Sequence, residues 1–266
     1  MKKLFCTLLS AAAAVALLCG FTPSPQENSA GAGLITKTYE TAEAISSLSV
    51  SDKYADVTVK ADDVDHVVVE YSYNSSYNDA FGTGGELYSF TIAGPSLNIQ
   101  GLKGDASMSV NNSKCICTMT VKLPRRAFAG LTVDTSNGNL TIQDMTSQSN
   151  TLTTTNGNIS ITGGSLDNLN ATANNGKVEV NNLLTQTFAA STRNGRISLA
   201  NTSALSITAQ AQNGSINLDT VSAPSYRCTV TNSSVVGKLV GRASDYAFDL
   251  TPGNGRVTVT DNTDSS

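Results

Sequence analysis

The chain has 266 residues and a formal charge of −4, with 14% charged residues, 6% aromatics, 21 glycines and no tryptophan. So few Glu, Lys and Arg argue against a helical bundle, and a mildly acidic chain without basic clusters argues against nucleic-acid binding. With His66 as the single histidine, neither a histidine metal site nor a Ser-His-Asp triad is expected, and no cofactor is implied.

Residues 1–19 have the layout of a signal peptide. Met1-Lys2-Lys3 is a positive start, and Leu4 to Leu18 is apolar apart from Thr7 and Ser10. The stretch is short for a membrane span and suits export. Residues 20–33, rich in Ser, Pro, Gly and Asn, read as a flexible tether. Three kinds of processing stay open. Cys19-Gly20 resembles a lipobox, with Cys19 as the lipidation site, although Leu18 departs from the small residue expected before it. Ala30-Gly31-Ala32 is an A-x-A site, and cleavage after Ala32 would release a secreted protein. Residues 4–21 left uncleaved would form an anchor. Each places residues 34–266 outside the cytoplasmic membrane, in the cell envelope or at the surface, with any membrane contact through the N-terminus alone.

Residues 34–130 read as an irregular β part. Alternation of apolar and polar residues predicts strands over Ile45 to Val50, Asp56 to Lys60, His66 to Tyr73, Ser89 to Ile92, Leu97 to Ile99 and Thr118 to Leu123, with Pro124 closing the last. Asn74-Ser75-Ser76 and Gly82-Thr83-Gly84-Gly85 supply turns. These strands are expected to lead into and cap the repeats of the second half, since a repeat stack needs a covered end. Tyr71, Tyr73, Tyr77 and Tyr88 lie among Gly and Asn and are the candidate ligand surface. Tyr71 and Tyr73 share a strand face, however, so packing in the core or cap is the favoured reading. Asp62-Asp63 with Asp65 is the one acidic cluster and reads as a loop rather than a metal site. Arg125-Arg126 reads as a solvated strand end, with contact to an anionic polymer as the alternative.

Residues 131–262 are a repeat. Asn-Gly recurs at Asn137, Asn156, Asn175, Asn194 and Asn213, always 19 residues apart; Asn232-Ser233 continues the series and Asn254-Gly255 comes after 22. Apolar columns flank each Asn. Three residues on stand Leu140, Ile159, Val178, Ile197, Ile216, Val235 and Val257; five on stand Ile142, Ile161, Val180, Leu199 and Leu218. Four residues before stand Val133, Leu152, Ala171, Ala190, Ala209, Cys228 and Leu250; six before stand Leu131, Asn150, Leu169, Phe188, Ile207, Tyr226 and Phe248. Period-2 alternation on both flanks predicts two half-buried strands per repeat. An antiparallel meander with Asn-Gly hairpins is one solution, because Asn-Gly favours positive φ. An all-β, β-helix-like solenoid is preferred: strands that must pair with their equivalents one coil on require coils of equal length, and the small Ala column suits a narrow interior. The turn Asn residues are then placed to stack as an amide ladder.

Beyond Cys6 and Cys19, three cysteines remain. Cys115 and Cys117 share a strand face and are badly placed to bridge each other, so Cys228 with one of them is the disulfide candidate, and buried free thiols are the alternative.

The order Leu48-Ser49-Val50, Ala55-Asp56-Val57-Thr58-Val59 and Val67-Val68-Val69-Glu70, then a strand ending Lys122-Leu123-Pro124, then repeats beginning Leu131-Thr132-Val133-Asp134 and running to Ile142, resembles the exported bacterial "putative adhesin" family of β-strand repeats, a domain of unknown function. The resemblance covers about residues 35 to 262. It implies the fold and carries over no catalytic residue.

The carboxylates Asp134, Asp144, Asp167, Glu179 and Asp219 fall in different columns, which disfavours a glycosidase pair. The expected function is therefore non-enzymatic: an envelope or surface protein whose extended repeat surface serves adhesion or contact with a protein or glycan. An envelope scaffold or sensor, and a polysaccharide-active β-helix enzyme, are the alternatives. An open end of the stack would also permit self-association.

Overall fold

The computed structural model describes residues 34–74, 87–101, 117–242, 244 and 246–261. Seven strands precede the repeats: β1 (Leu34–Thr41), β2 (Ser47–Asp52), β3 (Asp56–Asp62), β4 (Val67–Asn74), β5 (Tyr88–Ala93), β6 (Ser96–Gly101) and β7 (Cys117–Pro124). The repeats supply β8 (Ala127–Thr135), β9 (Leu140–Gln143), β10 (Thr146–Thr154), β11 (Ile159–Thr162), β12 (Ser165–Ala173), β13 (Val178–Asn181), β14 (Thr187–Thr192), β15 (Ile197–Ser203), β16 (Ser206–Ala211), β17 (Ile216–Ser222), β18 (Ser225–Val230), β19 (Val235–Leu239), β20 (Ala247–Pro252) and β21 (Val257–Asp261). The strand over Leu34–Thr41 is the one that the alternation pattern does not anticipate. Among the described residues no helix is long and apolar enough to cross a membrane.

From β8 onward the chain alternates between two sheets, even-numbered strands in one and odd-numbered strands in the other. Every one of these pairings is parallel. Asn150 stands between Leu131 and Leu169, and Ile159 between Leu140 and Val178. Parallel pairing excludes the hairpin meander, and the repeats form a two-sheet solenoid. Its apolar columns meet across an interior of about 10 Å, the usual separation of facing sheets.

The irregular first part shares this architecture, but out of chain order. β2 and β3 form a coil in register with the first repeat: Leu48 and Val50 stand against Leu131 and Val133, and Val57 and Val59 against Leu140 and Ile142. On its other side lies a coil made of β6 and β7. The segment between β3 and β8 thus returns beneath the coil that preceded it. Antiparallel strands then close this end, β5 against β6, β4 against β7 and β1 against β4. The expected cap is present.

The Asn-Gly corner has a different physical origin from the hairpin chemistry expected of it. Among the described residues, positive φ occurs at Gly94, Gly163, Gly164 and Gly241 and, outside glycine, at Asp144, Asn182, Asn201 and Thr220, and none of these belongs to an Asn-Gly pair. Glycine is needed because coils approach too closely for a side chain. A Cβ on Gly157, Gly176, Gly195 or Gly214 would overlap the carbonyl oxygen of the glycine one coil below. Beside it the amides form the expected ladder. Each Nδ2 donates to the Oδ1 of the preceding coil, from Asn156 to Asn137 (2.8 Å), Asn175 to Asn156 (2.8 Å), Asn194 to Asn175 (2.7 Å), Asn213 to Asn194 (2.9 Å), Asn232 to Asn213 (2.8 Å) and Asn254 to Asn232 (3.1 Å).

A buried threonine two residues before the Asn ties this corner in both directions. The Gly157 N–H donates to Thr154 Oγ1 (3.1 Å), and that hydroxyl donates to the Gly138 carbonyl of the coil below (3.0 Å). Thr192 donates in the same way to the Gly176 carbonyl at 3.0 Å. The opposite corner carries a column of left-handed residues, Asp144, Gly163, Asn182, Asn201 and Thr220. Asp, Asn and Gly tolerate that conformation, whereas β-branched Thr220 is strained there.

One core position breaks the apolar pattern. Asn150, 2% exposed, stands between Leu131 and Leu169. Its Nδ2 donates to the carbonyls of Ser147 (3.2 Å) and Asn168 (3.3 Å), while its Oδ1 and the Ser147 Oγ have no partner. Replacing Asn150 with Leu should raise unfolding free energy by about 1 kcal/mol, from apolar burial and removal of an unsatisfied acceptor. Gly176→Ala should lower it by about 2–4 kcal/mol, since two coils must separate to admit a methyl group. Urea denaturation of both variants checks the pair; a Gly176→Ala protein of native stability would overturn the steric account.

Candidate functional site

The outer face of the sheet built from the even-numbered repeat strands is a regular surface. Side chains alternate along a strand, so the residues between the buried columns point to solvent. In-register pairing stacks them into rows. Thr132, Thr151, Asn170, Ala189 and Thr208 form one row, and Asp134, Thr153, Thr172, Ser191, Gln210 and Thr229 form the next. Asn174, Arg193, Gln212 and Thr231 come next at the corner, where each backbone N–H joins the coil below. Within the second row the Thr172 and Ser191 hydroxyls are 3.2 Å apart.

Two shallow depressions, of about 320 and 480 Å³, lie between the second row and the corner. Ser191, Thr192 and Gln212 line both, joining them into one groove along the stack. Hydroxyls and amides line it, with Arg193 as its single charge. Such a surface donates and accepts hydrogen bonds at intervals of about 4.8 Å, the spacing of parallel strands. The residues lining the groove include no carboxylate and so supply no acid and base pair for glycoside cleavage there. Partial burial raises the Asp134 carboxyl above its ordinary range at the far end of the second row.

The tyrosines expected on a ligand surface lie elsewhere. Tyr71, Tyr73 and Tyr88 are 2%, 4% and 3% exposed. Tyr71 and Tyr73 continue the inward row of Val67 and Val69 on β4, which β1 and β7 flank on either side. Tyr71 meets Tyr88 edge to face at 4.8 Å, and the Tyr88 hydroxyl is 3.2 Å from Cys117 Sγ. Over them Tyr39 stacks on Phe90 with ring centres 4.0 Å apart. These rings fill the core of the N-terminal cap, where four strands leave a space that aliphatic side chains would fill less completely. Tyr77, Cys19 and Cys115 lie outside the described residues.

Cys117 and Cys228 are both buried and are not bridged to each other. They sit in different sheets, Cys117 on β7 and Cys228 in the column of Ala209 on β18, so the candidate bridge between them is absent. Burial pushes the Cys228 thiol up to about 12. It packs as a small apolar side chain.

The acidic cluster is met by cations of the same chain. Asp62 pairs with Lys60 (2.7 Å), Asp63 with Arg125 (2.8 Å) and Asp65 with His66, whose other ring nitrogen is 3.6 Å from Glu40. Among the described residues no group of three His, Cys, Asp or Glu is placed to hold a metal. Arg126 donates to the Ile45 carbonyl (2.7 Å) and lies over the Phe128 ring at 5.3 Å. Both arginines therefore serve the fold.

Fold and surface together define a two-sheet parallel β-solenoid with a capped N-terminal end and a polar, repetitive face. Residues 45–265 match the Toastrack DUF4097 family, and the chain belongs to it. Solved structures of the same fold include a "putative adhesin" from Bacteroides fragilis NCTC 9343, with 16% identity and a TM-score of 0.57 over 86% of this chain and 96% of that one. Another "putative adhesin", from Parabacteroides merdae ATCC 43184, has 13% identity and a TM-score of 0.53 over 86% and 97%. A "putative lipid binding protein" from Parabacteroides distasonis ATCC 8503 has 12% identity and a TM-score of 0.52 over 86% and 98%. At these identities the likeness is one of fold. No curated protein matches the sequence.

The His66 arrangement is open to direct measurement. Its hydrogen bond to Asp65 and the nearby Glu40 charge raise its pKa above the ordinary histidine value. The protonated form is thus favoured on folding, and its contribution is present below the ordinary pKa and lost as pH rises through the raised one. As the single histidine it gives one imidazole signal in NMR. That signal should titrate above the unfolded value and move down in Asp65→Asn; equal midpoints in the two proteins would contradict the pairing.

Proposed function

We propose that this chain is an exported, non-enzymatic protein of the cell envelope or surface that uses the outer face of its even-strand sheet for adhesion, through extended contact with a protein or glycan. The observation that carries this reading is the continuous groove across successive coils, lined by hydroxyls and amides, with Arg193 as its charge. A groove of this shape offers many modest hydrogen bonds to an elongated ligand and no enclosed site for a small molecule. The export-type N-terminus and the fold shared with structures described as adhesins support the same reading. The polysaccharide-cleaving alternative would need its carboxylates outside this groove.

The test is capture. The purified protein is crosslinked in parallel to the producing cell's envelope fraction and to an array of matrix proteins and glycans. Saturable binding is expected, weakened about tenfold by joint replacement of Arg193, Gln210 and Gln212 with Ala, the loss that one or two groove contacts supply. The melting temperature should change little, since all three side chains are exposed. Binding that the triple variant retains in full would overturn the assignment to this groove.

A further inference from the structure

The Asn-Gly pairs that build the corner are also the peptide sequence most prone to losing its side-chain amide. With no side chain on the following residue, its backbone nitrogen reaches the Asn Cγ with little hindrance. The reaction needs two freedoms: the side-chain amide must rotate over its own backbone, and the glycine nitrogen must be available. In the interior coils the ladder removes the first freedom. Asn156, Asn175, Asn194 and Asn213 each donate to the coil below and accept from the coil above. A threonine restricts the second at two pairs, where the N–H groups of Gly138 and Gly157 are bonded to Thr135 (3.3 Å) and Thr154 (3.1 Å).

Asn254 differs from every pair below it in the first respect, and it shares the lack of a clamping threonine with Asn175 and Asn213, which Ala173 and Ala211 precede. It tops the ladder, donating to Asn232 at 3.1 Å, and no described residue donates to its Oδ1. Pro252 takes the place of the clamping threonine and has no hydroxyl for the Gly255 nitrogen. β20 and β21 are edge strands, so this peptide is held from one side only. Asn254 and Gly255 are both exposed.

We propose that Asn254-Gly255 is a site of spontaneous deamidation and that the ladder protects the five Asn-Gly pairs below it. The Gly255 nitrogen gives its proton to solvent base and bonds to Asn254 Cγ. The Cγ–Nδ2 bond breaks, and ammonia leaves with a proton from water. A water molecule then opens the cyclic imide to isoaspartate or aspartate. The new carboxylate cannot donate to Asn232 Oδ1, so modification detaches the last rung and loosens the terminal coil, while the coils beneath keep theirs.

The experiment is incubation of the full chain at mildly alkaline pH, folded and in concentrated urea, with peptide mass spectrometry at all six Asn-Gly pairs. In the folded protein Asn254 should react at least about tenfold faster than each of Asn137, Asn156, Asn175, Asn194 and Asn213, as expected when the others must open locally first. In urea the six rates should converge. A folded protein in which Asn254 stays intact, or in which an interior pair keeps pace with it, would overturn the proposal. So would an equal Asn254 preference in urea, because the cause would then be local sequence and not the ladder.

Discussion

The spacing of parallel strands, about 4.8 Å, governs this molecule. Each residue of a coil must stand over its equivalent, so whatever a position holds is repeated, and the repeat must be tolerable at that distance. Glycine meets the condition at the tightest corner, where the next carbonyl oxygen occupies the place of a Cβ. Asparagine meets it one residue earlier, because an amide is both donor and acceptor and can bond to a copy of itself indefinitely. Aspartate in that column would place like charges one above another. The equal 19-residue intervals are the visible trace of that stacking condition, since a residue added within a strand would move the side chains after it to the opposite face; the 22-residue step to Asn254 keeps register because its extra residues lie between β19 and β20.

This explains what could be read from the sequence. The intervals, the paired apolar columns and the small Ala171, Ala190 and Ala209 column sufficed for two strands per coil and parallel stacking. The corner was legible in position but not in mechanism: Asn-Gly is common both to hairpins and to close approach, and only backbone geometry separates them. The threonine clamp escaped notice because Thr135, Thr154 and Thr192 alternate with Ala173 and Ala211 in their column, and Thr is equally common on the solvent face. The left-handed column escaped for a similar reason, as Asp144, Gly163, Asn182, Asn201 and Thr220 share a backbone conformation rather than a side-chain type.

The N-terminal part was harder for topological reasons. Its coil of β2 and β3 is separated from the repeat it stacks on by the four strands that form the neighbouring coil and the cap. Register there is a matter of an 83-residue offset, from Leu48 to Leu131, which no local pattern reveals. The tyrosines are ambiguous in sequence because amphipathic rings beside polar turns suit a binding surface and a cap interior alike. Their alternation on β4, the same signal that identified the strand, was the better guide, and it put Tyr71 and Tyr73 inward with Val67 and Val69.

The two ends of the solenoid are consequently unlike. At the N-terminal end, antiparallel β4 and β5 reverse the strand direction and end the run of parallel pairing, and stacked Tyr39 and Phe90 lie on the closing strands. At the other end β20 and β21 keep the repeat's own direction and leave one edge of each sheet without a described neighbour. Pro252, which lacks an N–H, blunts the first of these edges at its end. The amide ladder has the same polarity. Every Nδ2 points toward the cap and ends on the Lys53 carbonyl, to which Asn137 donates at 3.1 Å, while the last acceptor, on Asn254, faces away from the stack. Bonded donors at the capped end, and at the open one an acceptor that no described residue meets, are therefore properties of a single directed chain of amides. Local stability should fall toward the open end, where Phe248, Leu250, Val257 and Val259 are only partly buried, because each coil is held by its neighbours and the last has one.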